Sequence, residues 1–369
     1  MNILITSPSL DSSRNISGIS SVVRTIIADS TNTYHHFVLG RGDSEKRNIK
    51  WVLKQLRLPF SYLSFLSHNS VDLVHLNIPL EKMAMLRDLT IFHISRLCKK
   101  PVFLHVHGGY YLMNPCNSFF LRFAIRDALE KADVVVLLSP LEVDVLAKRY
   151  NITREMVALP NCVDIEAIKP VSKSNNENAM LNILFLGRIH ESKGLDDIIK
   201  ALAILRNNQQ IMFTVCGTGP EEEKFVTACK TELGNRFVFK GIVSGKAKID
   251  CLQHADVFLL PSKFEGFPIA LLEAMSSGLV PITTDVGSMK YIIQDNYNGL
   301  LVKKQCPEEI AEKISLLLRD RSLLVRLREN ARKTIVEKYS QHRYIEQINK
   351  LYNQIYRNRK TVFGGKIAF

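Results

Sequence analysis

Short apolar runs alternate with amphipathic helical stretches along this chain, and the alternation is played through twice. In the first half the apolar runs are 3–7, 35–40, 72–77, 101–108 and 133–139, with helical patterns over 17–30, 80–99 and 119–132. Within 17–30, Ile19, Val22, Val23, Ile26 and Ile27 recur at the spacing of one helix face. In the second half the runs are 181–187, 212–217, 237–241, 257–261, 281–285 and 299–302, separated by helices over 194–206, 220–233 and 246–255. Strand, crossover helix and strand in repetition build a parallel sheet with helices on its faces. A polar stretch without periodicity, 171–180, lies between the halves and reads as a linker. The chain has 369 residues, too many for one ordinary core. We therefore expect an α/β protein of two Rossmann-like domains, 1–165 and 166–341, with closing helices over 307–319, 321–339 and 342–359. Their loops are free to face each other across a cleft, where a ligand is expected.

One stretch stands out, EGFPIALLEAMSSG at 265–278, which reads as a turn and the first half of a helix. Pro268 suits the first helical position, where its missing N–H costs nothing. Gly278 and Pro281 bracket the helix end. The opening turn offers unpaired N–H groups and the positive end of a dipole to an anion. Glu265 precedes that turn and Glu273 lies within the helix. Carboxylates placed in this way suit a polyol, whose hydroxyls donate to them. A dipole-favoured acid plus a solvated helix Glu explains the same residues, so both readings stay open.

Other segments narrow the chemistry. In GRIHESKG, 187–194, Arg188 and Lys193 are placed to meet an anion beyond a strand end, unless they are ordinary loop charge. GTGPEEE, 217–223, lacks the third glycine of a dinucleotide fingerprint. IVSGKAK, 242–248, fails as a phosphate loop: Lys240 stands five residues before Gly245, and Ala247 replaces the hydroxyl residue. Gly18, at the mouth of a helix, allows a ligand to approach the backbone closely, or is simply a turn glycine. His105 and His107 share one strand face without a carboxylate or cysteine at metal spacing, so no metal is assigned. His107 precedes Gly108-Gly109 at a strand's carboxyl end, where parallel sheets hold ligands. A plain strand-end histidine is the competing reading.

Composition excludes several classes. With 46% apolar residues and no run of 18 of them, we expect a globular protein without a transmembrane helix. The opening MNILITSPS has no basic leader and reads as a first strand, not a signal peptide. Seven scattered cysteines, none in a C-x-x-C pair, suit a reducing cytoplasm and argue against structural zinc. The net charge of +13 admits nucleic acid, anionic membrane or phosphorylated small molecules. No dense basic helix or aromatic platform is present, which argues against nucleic acid. Residues 50–66 combine Trp51, Leu53, Leu56 and Leu58 with Lys50, Lys54 and Arg57, and Pro59 is expected to break or kink that helix. Such a stretch fits an anionic membrane surface and a packed crossover helix equally.

Five pieces in order carry a resemblance: Gly18, the pair His107-Gly108, the turn Pro160 to Asp164, GR-x-x-x-x-KG, and Glu265 with Glu273 inside EGFPIALLEAMSSG. Together they resemble the retaining nucleotide-sugar glycosyltransferases of family 4, among the glycosyl transferases of group 1, over nearly the whole chain. The common Gly-Gly-Ile of the first loop is Ser17-Gly18-Ile19 here. The resemblance implies the GT-B fold, with the last helix crossing back onto an N-terminal acceptor domain and the donor in the C-terminal domain. It implies that Arg188, Lys193 and the helix start near Pro268 hold a diphosphate, with no metal and no cofactor. Glu273 would bind the ribose, Glu265 and the backbone from Phe267 to Ala270 the donor sugar, and His107 the sugar near its reacting carbon. The implied catalytic set is His107, Arg188, Lys193 and Glu265; donor contacts add Gly18, Gly187, Gly217, Val243, Gly266, Phe267, Pro268, Ile269, Ala270 and Glu273. Retention would proceed by same-face substitution, the departing phosphate taking the acceptor's proton. The expected activity moves a sugar, from a UDP-sugar in preference, to a glycan carried on a polyprenyl lipid, for a bacterial surface polysaccharide. The expected place is the cytoplasmic face of the membrane. A soluble acceptor, or a non-catalytic sugar-nucleotide-binding protein, are the alternatives.

Overall fold

The computed structural model describes residues 1–11, 17–29, 31–40, 45, 48–171 and 179–364, with the backbone alone at 50 and 359–364. Most of the expected linker, and Lys366 near the C-terminus, lie outside the described residues. The chain forms two units, residues 1–160 with 342–369, and residues 161–341.

The first unit opens with β1 (Asn2–Ser7), α1 (Gly18–Ala28), β2 (Thr33–Val38), α2 (Ile49–His68) and β3 (Leu73–Ile78). It continues with α3 (Lys82–Leu97), β4 (Val102–Val106), the single turn α4 (Tyr110–Met113) and α5 (Phe119–Lys131). β5 (Val134–Leu137), α6 (Pro140–Tyr150) and β6 (Val157–Ala158) follow. All strands pair in parallel, in the order β2-β1-β3-β4-β5-β6. β3, β4 and β5 are buried along their whole length, because helices cover both faces of a parallel sheet. Side-chain caps start several helices: Ser17 accepts from Ser20 N, Asn48 from Trp51 N and Ser118 from Leu121 N.

The second unit contains β7 (Leu181–Leu186), α7 (Leu195–Ile204), β8 (Ile211–Cys216), α8 (Glu222–Leu233) and β9 (Phe237–Phe239). Then come α9 (Gly245–His254), β10 (Val257–Leu260), α10 (Ile269–Ser276), β11 (Val280–Thr284), the turn α11 (Met289–Ile292) and β12 (Leu300–Val302). α12 (Pro307–Arg319) and α13 (Arg321–Lys338) complete it, and α14 (Gln341–Gly364) carries the chain into the first unit. There Tyr352 is fully buried and Asn349 bonds Asn32 and Asp29. The second sheet is also parallel, in the order β12-β11-β10-β7-β8-β9. Strand order reverses between β7 and β10, and in the first sheet between β1 and β3. Ligands bind beyond the strand carboxyl ends at such reversals.

Two local expectations are corrected. Pro59 does not break its helix: α2 runs unbroken from Ile49 to His68. A proline inside a helix costs about 3 kcal/mol. Tyr62 and Leu66 are buried beyond it, and Leu58 and Phe65 pack on the same core, which offsets that cost. Pro268 is not the first helical residue of α10 but its cap, extended at φ −72°, ψ 114°. The apolar patterns missed α6 and the two-residue strand β6; α6 is announced by Ser139 capping Glu142 N, with Pro140 following.

Candidate active site

The loops leaving the carboxyl ends of β7, β8, β9 and β10 are tied to one another by backbone hydrogen bonds. Gly187 N donates to Cys216 O at 3.0 Å, and Ile189 N to Thr218 O at 2.9 Å, which joins the β7 loop to the β8 loop. Gly217 N donates to Gly241 O at 2.7 Å, two residues before Val243 in the β9 loop. Lys263 N donates to Ser192 O at 2.8 Å, linking the β7 and β10 loops. Gly187, Arg188, Lys193, Gly217, Val243 and Glu265 therefore share one end of one sheet, though 78 residue numbers separate the first from the last. Gly194 permits one of these approaches, between the β7 loop and the end of β10. Its φ is +72°, and a Cβ there would stand 2.0 Å from Pro261 O.

Glu265 and Glu273 are both buried, so neither is a solvated surface acid. Lys193 Nζ donates to Glu265 Oε1 at 2.6 Å, and Ser262 Oγ to the same oxygen at 2.7 Å. Lys248 Nζ donates to Glu273 Oε1 at 2.5 Å. Between the two carboxylates lies the first turn of α10, where Ile269 and Ala270 have no acceptor within the helix. Phe267 is buried and its carbonyl accepts from Asn161 Nδ2 at 2.8 Å, so that carbonyl is already engaged. Gly266 and Pro268 are partly exposed on either side of it. Arg188 is exposed and bonds no described residue. The two lysines are paired with the two glutamates, while Arg188 pairs with no described acid and the first turn of α10 keeps unpaired N–H groups.

His107 and Gly18 lie in the first unit. Gly18 is the exposed first residue of α1; residues 12–16 before it are outside the described set. His107 stands just beyond β4, largely buried, with Nε2 2.7 Å from Asn77 Oδ1. Its ring lies 4.1 Å from that of His105, and His105 Nδ1 is 3.3 Å from His75 Nε2. Burial pushes His107 down to about 3 and holds His75 and His105 well below the ordinary imidazole range. Among the described residues no group of three or more His, Cys, Asp or Glu is arranged to hold a metal ion.

Sequence reasoning missed Lys248, Ser262, Asn161 and Asn77. Lys248 sits in the segment rejected as a phosphate loop, and nothing local marks it as the partner of a residue 25 positions away. Asn161 belongs to the Pro160–Asp164 turn, a signal noticed without a role.

Residues 164–334 match the family described as glycosyl transferases group 1. That match spans most of the second unit, which is similar to the glycosyl transferases of group 1. Its fold is GT-B: a structure of Anabaena HepE with UDP-glucose aligns with TM-score 0.76 at 17% identity, over 96% of this chain and 100% of that one. The chain is 27% identical over 264 residues to the 2-deoxystreptamine N-acetyl-D-glucosaminyltransferase of Niallia circulans, covering 67% of this chain and 68% of that protein. It is 28% identical over 176 residues to the N,N'-diacetylbacillosaminyl-diphospho-undecaprenol alpha-1,3-N-acetylgalactosaminyltransferase of Campylobacter jejuni, 48% and 45% of the two chains. At the level of the family, these comparisons point to a glycosyltransferase. No described helix is long and apolar enough to cross a membrane.

Proposed function

We propose that this protein is a retaining, metal-independent family 4 transferase that moves a sugar from a nucleoside diphosphate, UDP in preference, to a glycan on a lipid carrier. The observation that carries the donor half is the pair of buried, lysine-paired glutamates flanking the open first turn of α10. Charge grows on the leaving phosphate as the sugar departs. Arg188, Lys193 and the dipole of α10 meet it, and such preorganised groups act without reorganising during the reaction. Glu273 takes the ribose hydroxyls, with Lys248 holding its carboxylate. Glu265 and the backbone at Phe267 to Ala270 take the sugar, and His107 lies near its reacting carbon. Glu265 Oε1 already accepts from Lys193 and Ser262, which makes it a poor nucleophile and supports proton transfer to the departing phosphate instead. The second unit is the donor domain and the first the acceptor domain. HepE, which bears UDP-glucose, favours UDP. The Campylobacter relative, named for a diphospho-undecaprenol, favours a lipid carrier; the Niallia relative, named for 2-deoxystreptamine, keeps a soluble acceptor as the second reading.

A panel of UDP-, GDP- and ADP-sugars, assayed by thermal unfolding in excess EDTA, tests this. A donor at 100 times its Kd adds about 2.7 kcal/mol, raising the midpoint by roughly 5–10 °C for a unit of this size. UDP-sugars should give that shift, and transfer should persist in EDTA. No shift with any nucleotide sugar would overturn the donor site, and activity restored only by manganese would overturn metal independence.

We also propose that the first unit associates reversibly with anionic membrane. α2 packs on its sheet through Tyr62 and Leu66, yet it leaves Val52, Leu56 and Phe60 exposed beside Arg57. At the start of α5, Phe119, Phe120 and Phe123 are 77%, 83% and 62% exposed, with Arg122 and Arg126 also exposed. Apolar side chains exposed to this degree beside cations suit a headgroup boundary. Lys54 is already paired with Glu45, so its contribution is reduced. Replacing Lys50, Lys54 and Arg57 by Glu together should weaken sedimentation with anionic vesicles by roughly 100-fold or more. Turnover of a water-soluble acceptor should be unchanged. If that variant still sediments while deletion of residues 357–369 releases the protein, the basic tail (Arg357, Arg359, Lys360, Lys366) is the anchor instead.

A further inference from the structure

The hydrogen bonds around Asn77 have only one consistent set of polarities. Asn77 is buried on β3, beside β1 at the reversal of strand order. Its backbone N–H donates to Thr6 Oγ1 at 3.1 Å, and its Nδ2 donates to Thr6 O at 2.9 Å. A carbonyl oxygen only accepts, so the amide nitrogen must face β1 and the amide oxygen must face His107. That oxygen also only accepts, so His107 Nε2, 2.7 Å away, must carry the ring's proton. A neutral imidazole has one N–H, which leaves Nδ1 as a bare acceptor.

The ring has little freedom to do otherwise. His107 N donates to Ile78 O at 2.8 Å, fixing the backbone against β3. The neighbouring His105 ring lies 4.1 Å away and tilted by 39°, bounding one side. The titratable groups nearby are His105 on the same strand, His75 on β3 and, through His75 Nδ1 at 2.5 Å, Tyr352 on α14. All are buried, and no acidic side chain bonds His107 among the described residues. His107 Nδ1 bonds no described residue, and the residue is partly buried just beyond the end of β4.

We propose that Asn77 is a positioning residue that locks His107 in its Nε2–H tautomer, so that Nδ1 accepts a hydrogen bond from one hydroxyl of the transferred sugar. This rests on the reading of His107 as a sugar contact. It adds a specificity rule: the donor must carry a hydroxyl at that one ring position, because an unmet acceptor in a closed site is costly.

Three measurements test it. Nitrogen-15 NMR of the histidines in the wild-type protein should show His107 protonated at Nε2 and bare at Nδ1; the opposite tautomer overturns the proposal whether or not any variant folds. Asn77→Asp keeps an acceptor beside Nε2 but adds a negative charge, which raises the pKa of His107. The rate should then fall as pH drops through that raised value, where Nδ1 takes a proton, and recover above it. The wild type should show no such acid limb. A pH–rate profile for Asn77→Asp matching the wild type overturns the proposal and leaves the transferase reading intact. Finally, among monodeoxy UDP-sugars, one should be about 10-fold poorer in kcat/KM for the wild type, and that penalty should vanish in Asn77→Leu. Equal penalties in both proteins also overturn it. Absence of nucleotide-sugar binding by the wild type would instead sink the transferase reading, while the tautomer measurement still decides the role of Asn77.

Discussion

Arg188→Ala is expected to slow sugar transfer by about 30- to 1000-fold, a loss of roughly 2–4 kcal/mol of transition-state stabilisation. Its stability should stay within about 0.5 kcal/mol of wild type, because Arg188 is exposed and bonds no described residue. Lys193→Ala should lose rate on the same scale but behave differently in denaturant. Its ammonium is the cation beside Glu265, whose side chain is only 8% exposed. Removing it strands a buried carboxylate, a change that costs up to about 3 kcal/mol even with Ser262 still donating to the same oxygen. Adding Glu265→Gln to Lys193→Ala should restore much of the stability and none of the rate. Single-turnover transfer and urea unfolding of the three proteins separate these effects. Near wild-type transfer by a folded Arg188→Ala or Lys193→Ala protein would mean that the diphosphate lies elsewhere.

Gly194→Ala should lower the stability of the second unit by about 2–5 kcal/mol. A left-handed φ of +72° costs an alanine about 1–2 kcal/mol. The rest comes from its Cβ, which would sit 2.0 Å from the Pro261 carbonyl and force the β7 loop off β10. Gly245→Ala is the control. Its φ is +52°, but nothing lies within 4 Å of the added carbon, so only the conformational cost of about 1–2 kcal/mol applies. Urea midpoints measured at unchanged slope give the comparison. Equal shifts in the two variants would show that the Gly194–Pro261 approach is not tight. Because Lys193 and Glu265 meet across this junction, Gly194→Ala should also lose transfer beyond what its folded fraction explains.

What the sequence determined by itself was local. Continuous apolar runs placed nearly every strand and the 3.6-residue period the long helices, since a strand covered on both faces is apolar throughout and a helix is apolar on its buried side. The turn and helix of 265–278 were legible for the same reason. The departures were those in which distant packing outweighed a local rule. Pro59 stays within α2 because Tyr62 and Leu66 are anchored past it. Only the tertiary structure decided the partners. Lys193 reaches Glu265 because β7 and β10 are neighbours at the reversal of strand order. Lys248 closes on Glu273 across two helices, and Asn77 meets His107 because β3 lies beside β4. Strand order is set by how whole helices cover a sheet, a property of the assembled core, and no window of neighbouring residues encodes it.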